Sequence, residues 1–416
     1  MTLRNRFLLV GFGILIFVVI VPLLVLFTIG YEIDWTHHKI VKTGVLIVQT
    51  MPDKADIYLN NQKAQGLTPE TVRFVLPGDY NVRIEKTGYQ SWTKRLSVDP
   101  QLATWVNFDR DFITLFLAEP QQQIEMSDNF SSLSDNGTEI AYIQNNNLHI
   151  YDVGSQSTQQ LGNIGNFYVP LTFTENLRWS NAAKVLSYFQ SHSFSVPDIS
   201  SISQVQTDGD NFAILAARQL QVLSANDPQT VDTNVSGFSM DGENLWYVQG
   251  QLLKEYNLRT KVTTTIYTNL PTSQNAQIIR GEGNTFLLLD KSLYKLNDSL
   301  EKIYDGATAA SYDTASHELL FADANDILLY DPQQKKTELI LRSISTLNHP
   351  VINSYDGYVF FENENAIKAV ELDGRDHRNI YTILTNVGPN SQFTLNSNGS
   401  VLTVFDDMHL ASYKIR

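Results

Sequence analysis

An all-β polypeptide behind a single N-terminal helix is the fold class that the sequence predicts. Three observations predict it. From Phe7 to Ile29 no residue carries a charge. Between Gly44 and Val98, short apolar stretches are separated by Pro, Gly, Asn and Asp, the pattern of short strands joined by turns. From about residue 130 to the C-terminus, one plan of turn, apolar strand, polar hairpin and apolar strand recurs.

Composition limits the chemistry. The 416 residues carry 44 acidic and 30 basic side chains, a formal charge of −14, and no cysteine. Lack of cysteine excludes a disulfide scaffold, a thiol nucleophile, a Cys-ligated zinc site and an iron–sulfur cluster. The acidic balance argues against nucleic acid as a partner, because phosphate binding needs clustered Lys and Arg.

Residues 1–30 read as a short stub and a transmembrane helix. The 23 residues of Phe7–Ile29 would rise roughly 34 Å as a helix, enough for a bilayer core. A signal peptide has a shorter apolar region, and Thr28-Ile29-Gly30 is a poor cleavage site. Arg4 and Arg6 precede the run, whereas Glu32 and Asp34 follow it. The positive-inside rule then places the N-terminus in the cytoplasm. The expectation is a single-pass anchor in the cell membrane, with the C-terminal bulk extracytoplasmic. Residues 31–42 read as a spacer.

Over residues 43–99 the sequence predicts a small antiparallel β-sandwich. Its strands are Gly44–Val48, Ile57–Leu59, Thr71–Val75, Tyr80–Ile84 and Trp92–Val98. Turns fall at Pro52-Asp53, Asn60-Asn61, Thr68-Pro69, Pro77-Gly78 and Thr87-Gly88. Four elements stand in order: Pro52-Asp53-Lys54-Ala55, Gly66-Leu67-Thr68-Pro69, Pro77-Gly78-Asp79-Tyr80 and Gly88-Tyr89. In that order and spacing the segment resembles the PEGA domain family, with Asp and Lys where the family has Glu and Gly. Lys54 makes a positive φ at that turn less comfortable than glycine would. The resemblance implies a bacterial surface or envelope protein, with a spacer or binding role and no assigned reaction.

Beyond a linker at 100–130, residues 131–416 predict a β-propeller. Ser134-Asp-Asn-Gly137, Ser239-Met-Asp-Gly242, Ser311-Tyr-Asp313 and Ser354-Tyr-Asp-Gly357 each precede an apolar strand. From Gly137 to Gly399, six intervals would average about 44 residues and seven about 37, near the blade period. Seven blades is the reading, with eight as the alternative. The repeats resemble WD-like or TolB-like propellers, without the Gly-His and Trp-Asp signature of true WD40 repeats. The last unit offers three strands before the chain ends at Arg416. An open edge invites aggregation, so residues from about 111 to 126, including the apolar Phe112–Leu117, are expected to supply the missing strand.

Reaction chemistry is sparse. Gly-x-Ser-x-Gly, His-Glu-x-x-His and phosphate-loop motifs are absent. Gly281-Glu282-Gly283 reads as a turn. His37-His38 reads as a solvated stretch rather than a metal site. Asp208–Asn211 and Asp323–Asp326 carry oxygen ligands at short spacing, but ordinary turns use the same residues. Aromatic residues within apolar strands, such as Trp246-Tyr247 and Phe360-Phe361, read as core before Tyr and Trp read as sugar platforms. No catalytic, cofactor-binding or metal residues are assigned, and no cofactor is expected. The expected function is a non-catalytic, membrane-anchored envelope protein whose propeller binds a protein or a wall polysaccharide. An extracytoplasmic hydrolase or lyase, or an accessory subunit of an envelope complex, is the alternative.

Overall fold

The computed structural model describes residues 3–34, 39–108, 110–127, 129–133, 139–145, 147–163, 202–208, 211–223, 228–388, 391–396, 398–405 and 409–416. The chain forms two compact units. Unit 1 comprises Met1–Glu119, Asp373–Asn379 and Arg416; unit 2 comprises Pro120–Leu372 and Ile380–Ile415.

Unit 1 begins with helix α1, Leu3–Thr28. The expected membrane span, and with it the placement in the cell membrane with an extracytoplasmic bulk, is overturned. Among the described residues no helix is long and apolar enough to cross a membrane. Residues 31–42 are more than a spacer: β1 (Tyr31–Asp34) and β2 (Lys39–Lys42) pair antiparallel, Tyr31 opposite Lys42.

The small β module has three sheets. Its strands are β3 (Gly44–Val48), β4 (Thr50–Met51), β5 (Asp56–Leu59), β6 (Gln62–Leu67), β7 (Glu70–Val75), β8 (Gly78–Glu85), β9 (Trp92–Val98), β10 (Ala103–Trp105) and β11 (Ile113–Thr114). One sheet runs β6-β5-β8-β9, a second β10-β3-β7, and β11 pairs with β4. Alternation puts Leu46 and Val48 of β3, Val82 and Ile84 of β8, and Trp92, Leu96 and Val98 of β9 into one core. Val106, Ile113 and Leu115 join that core, so the unit extends past the expected boundary at residue 99. Phe112–Leu117 therefore belongs here. Gln90 N donates to Phe116 O at 2.8 Å, and Leu117 bridges Tyr89.

Motif residues explain the local turns. Lys54 N donates to Thr68 O at 2.7 Å, Thr68 N to Ala55 O at 3.0 Å, and Ala55 N to Thr68 Oγ1 at 2.9 Å. The two motif elements are thus stitched together, satisfying backbone groups that burial would otherwise orphan. Lys54 does adopt the left-handed conformation, with φ 63°.

Unit 2 repeats four-stranded antiparallel sheets. Strand β12 (Gln121–Ser127) comes first, followed by β13–β16 (Asn129–Leu133, Glu139–Gln144, Asn147–Asp152, Ser157–Asn163) and β17–β20 (Ile202–Asp208, Asn211–Ala216, Gln219–Leu223, Pro228–Thr233). Next are β21–β24 (Val235–Asp241, Asn244–Gln249, Leu252–Asn257, Val262–Tyr267) and β25–β28 (Ala276–Gly281, Asn284–Leu289, Ser292–Leu296, Leu300–Asp305). Then come β29–β32 (Ala309–Asp313, Glu318–Ala322, Asp326–Asp331, Lys336–Arg342) and β33–β36 (Asn348–Asn353, Tyr358–Asn363, Ala366–Glu371, Ile380–Thr385). The chain ends on β37–β39 (Gln392–Leu395, Val401–Phe405, His409–Lys414).

First strands of successive sheets are neighbours: β17 with β21, β21 with β25, β25 with β29, β29 with β33, and β33 with β37. Second strands are the most enclosed; β34 is buried at every position, whereas β24 is mostly exposed. That gradient follows from sheets packed face to face, where a central strand must be apolar on both sides. Leu320, Ala322, Ile327 and Leu329 of one sheet meet Val359, Phe361 and Val370 of the next. This is propeller-like architecture. Recurrent turn glycines Gly242, Gly357 and Gly399 have φ of 61°, 75° and 71°, values that favour a residue without Cβ.

Three C-terminal strands are completed by an N-terminal one, in the order β12-β39-β38-β37. Gln121 faces Lys414 and Ser127 faces His409. The completing strand lies at the far end of the 111–126 window rather than in its apolar part. Ile124 and Met126 of β12 pack against Ile140, Tyr142, Tyr151, Phe405 and Leu410.

Candidate functional site

Glutamine side chains join the first strands of unit 2. Gln204 Nε2 donates to Phe238 O at 2.7 Å, and its Oε1 accepts from Phe238 N at 3.2 Å. Two residues along, Gln206 Oε1 accepts from Met240 N at 2.7 Å. Gln277 Nε2 donates to Ala310 O at 3.1 Å. A primary amide carries the donor and acceptor of a peptide group, so each glutamine extends the hydrogen bonding of one sheet to the backbone of the next. The two successive bonds, 204 to 238 and 206 to 240, show that β17 and β21 run in the same direction.

A cleft of about 400 Å³ opens along these strands. Gln204, Gln206, Phe238, Gln277, Ile278, Ile279, Arg280, Ala310, Ser311 and Tyr312 line it. Among the described residues of that lining, Arg280 is the one that carries a charge. Its Nη1 lies 2.8 Å from Asp241 Oδ2, and its guanidinium carbon lies 4.0 Å from the Trp246 ring centroid. That stacking is a cation–π contact. Arg280 Nε is buried without an acceptor, as is Trp246 Nε1. Gly281 follows at the strand end because a Cβ there would lie 2.0 Å from the Tyr312 ring. Burial pushes the Tyr312 hydroxyl above its ordinary pKa. Beyond the glycine, Glu282 Oε2 pairs with His317 Nδ1 at 2.5 Å.

A second polar cluster lies in unit 1. Lys94 alternates with Trp92, Leu96 and Val98 on the buried face of β9, and its side chain is 0% exposed. Its Nζ donates to Asp373 O at 2.7 Å and sits 3.2 Å from Asp373 Oδ2. Arg375 grips the same carboxylate through Nε and Nη2, and donates to Trp105 O at 3.0 Å and Val106 O at 2.8 Å. Burial alone would raise the Asp373 carboxyl. Hydrogen bonds from Arg375, with the charges of Lys94 and Arg375, outweigh burial and hold it below the ordinary carboxylate range. Every donor here has an intramolecular acceptor, so the cluster is structural.

The segments weighed in the sequence separate clearly. Asp323–Asp326 forms a turn: Asp323 Oδ1 accepts from Asn325 N and Asp326 N, both at 2.7 Å. Arg342 holds Asp326 through Nε at 2.7 Å and Nη2 at 2.6 Å. Among the described residues no group of three or more His, Asp or Glu gathers as a metal site. His37-His38 and Gly209-Asp210 lie outside the described residues. Tyr247, Phe360 and Phe361 are core, and Trp246 lies under Arg280. Ser311 and Tyr312 stood in the sequence only as part of a repeat turn, and the other cleft residues escaped the sequence reading. The signals available were Gln204, Gln206 and Gln277 beside apolar residues in two first strands, and Arg280 directly after Ile278-Ile279.

No curated protein matches the sequence. Among solved structures, a chain of the mitotic checkpoint complex is 10% identical, with 71% of this chain and 92% of that chain covered and a TM-score of 0.47. The structure of YCF48 bound to D1 peptide is 11% identical, with coverage of 72% and 96% and a TM-score of 0.44. The family comparison concerns unit 1, where the stitched turns lie: residues 43–110 match the PEGA domain.

Proposed function

We propose that this chain is a non-catalytic binding protein whose unit 2 takes an extended segment of a partner protein in the cleft along β17, β21, β25 and β29. The observation that carries this reading is the cleft itself. Its lining combines apolar Phe238, Ile278 and Ile279 with polar Gln206, Arg280 and Ser311, the mixture that orients a bound peptide without performing chemistry on it. A hydrolase or lyase would need carboxylates or histidines converging at one place. Asp241 is instead taken up by Arg280, and Glu282 by His317.

The blade number is part of the proposal. Described residues supply seven four-stranded sheets in unit 2. From Ile202 to Gln392, first strands begin 33 to 44 residues apart, but 73 residues separate Asn129 from Ile202. That interval is two periods long, so the chain has the length for an eighth blade beside the seven.

Selection of displayed random peptides on the immobilised full chain tests the binding reading. Enriched peptides should lose affinity at least tenfold when Ser311→Trp fills the cleft. Failure to enrich any peptide, or indifference to Ser311→Trp, would sink it.

A further inference from the structure

Five arginines among the described residues meet carboxylates, and Arg280, like Arg83, does so while leaving a buried Nε without an acceptor. Arg342 grips Asp326, and Arg375 grips Asp373, through the edge formed by Nε and Nη2. Arg280 meets Asp241 through Nη1 instead. Its Nε is buried and has no acceptor, although buried donors are nearly always satisfied. Stacking on Trp246 holds the guanidinium plane in place. The nearby lining groups add donors. Gln206 spends its Oε1 on Met240 N, which leaves its amide hydrogens for a ligand. Ser311 brings a hydroxyl, and among the described residues no Asp or Glu lines the cleft.

From this surplus of donors beside one oriented guanidinium, we infer that the cleft recognises an Asp or Glu side chain of the partner segment. This inference rests on the peptide-binding reading above and specifies its chemistry. A carboxylate supplies two planar oxygens matched to a guanidinium edge. A doubly charged phosphate fits less well, because Asp241 already offsets the Arg280 charge and the chain carries a formal charge of −14.

The probe is the set of peptides enriched by display on the full chain, each resynthesised with its acidic residues changed one at a time to the matching amide. One acidic position should recur. Its change to Asn or Gln should weaken binding at least tenfold on the wild-type protein and less than twofold on Arg280→Met. As a second variant, Ser311→Asp places a carboxylate in the cleft without removing Arg280. It should weaken the acidic peptides at least tenfold and leave their amide versions within twofold. The inference is overturned if enriched peptides share no acidic position, or if the amide penalty persists undiminished on Arg280→Met. Either result leaves the broader reading standing so long as Ser311→Trp still abolishes binding. Binding that survives Ser311→Trp defeats both.

Discussion

Replacing Asp373 by Asn removes one charge from the buried cluster of unit 1 while keeping its shape. Lys94 is then fully buried with its ammonium facing a carbonyl and an amide. Breaking a buried pair from one side costs about 3–5 kcal/mol. Here the Asp373 carbonyl stays in place at 2.7 Å, and the Arg375 side chain is 29% exposed and can turn to water, so roughly 2–3 kcal/mol is the expected loss. For a unit of this size that corresponds to about 6–12 °C in its thermal transition. Differential scanning calorimetry of the full chain reads it, with the transition of unit 1 assigned from near-ultraviolet signals of Trp92 and Trp105. The double variant Lys94→Met with Asp373→Leu removes both charges and should recover more than half of the loss. A shift below 2 °C for Asp373→Asn, or a double variant as unstable as the single one, would refute the argument. The acid side follows in sign. A carboxyl held low in the folded state stabilises above its unfolded pKa, and that contribution is lost as pH falls through the folded value. Asp373→Asn should therefore flatten the acid limb of the stability curve.

Further outcomes follow from unit 2. Removal of residues 409–416 deletes β39 and leaves β12 without its partner; light scattering should show aggregation from exposed strand edges, and retained monomer with unchanged unfolding would contradict the closure. Gln204→Leu abolishes both side-chain bonds to Phe238 at a cost of about 2–3 kcal/mol, and hydrogen exchange of the Phe238 amide should accelerate while that of distant sheets stays unchanged. Gly237→Ala brings a Cβ to 1.8 Å from Ala276 O, which forces the first strands apart; a thermal transition within 1 °C of wild type would contradict that packing. Tyr304 donates to Asp323 at 2.5 Å, and that bond together with burial pushes its hydroxyl up to about 12. Its contribution to stability is present below the unfolded tyrosine pKa and fades as pH rises toward the folded one. Asp323→Asn should lower the midpoint in an ultraviolet tyrosinate titration.

Much of the architecture was legible because strands bury alternate residues. Gly44–Val48 and Trp92–Val98 were readable to the residue, as period two with one buried face leaves little freedom. Turn glycines disclosed the repeat because only a residue without Cβ takes a positive φ cheaply. The apolar run Phe112–Leu117 misled, since apolarity tells that a strand is buried but not against which core. Gln121–Ser127 is mostly polar, and only Ile124 and Met126 announce it. Period two puts Lys94 on the inward face of β9, a consequence the sequence reading did not draw, and its partner lies 279 residues away, beyond any local pattern. The cleft stayed hidden for the same reason. Gln204, Arg280 and Ser311 belong to different sheets, and nothing in their spacing says which sheets are neighbours.

Two distant closures constrain the order of events at the ribosome. Lys94 waits for Asp373, and β12 waits for β39, so neither unit can be finished while the chain is growing. At about 5–20 residues per second, the stretch of 279 residues between Lys94 and Asp373 takes on the order of 15–55 s to emerge. During that time an unmatched ammonium and an unpaired strand edge are presented to the translation machinery and its chaperones. Nascent-chain stalling before residue 373 should therefore yield protease-sensitive material, whereas stalling beyond the last strand should yield protected cores of both units.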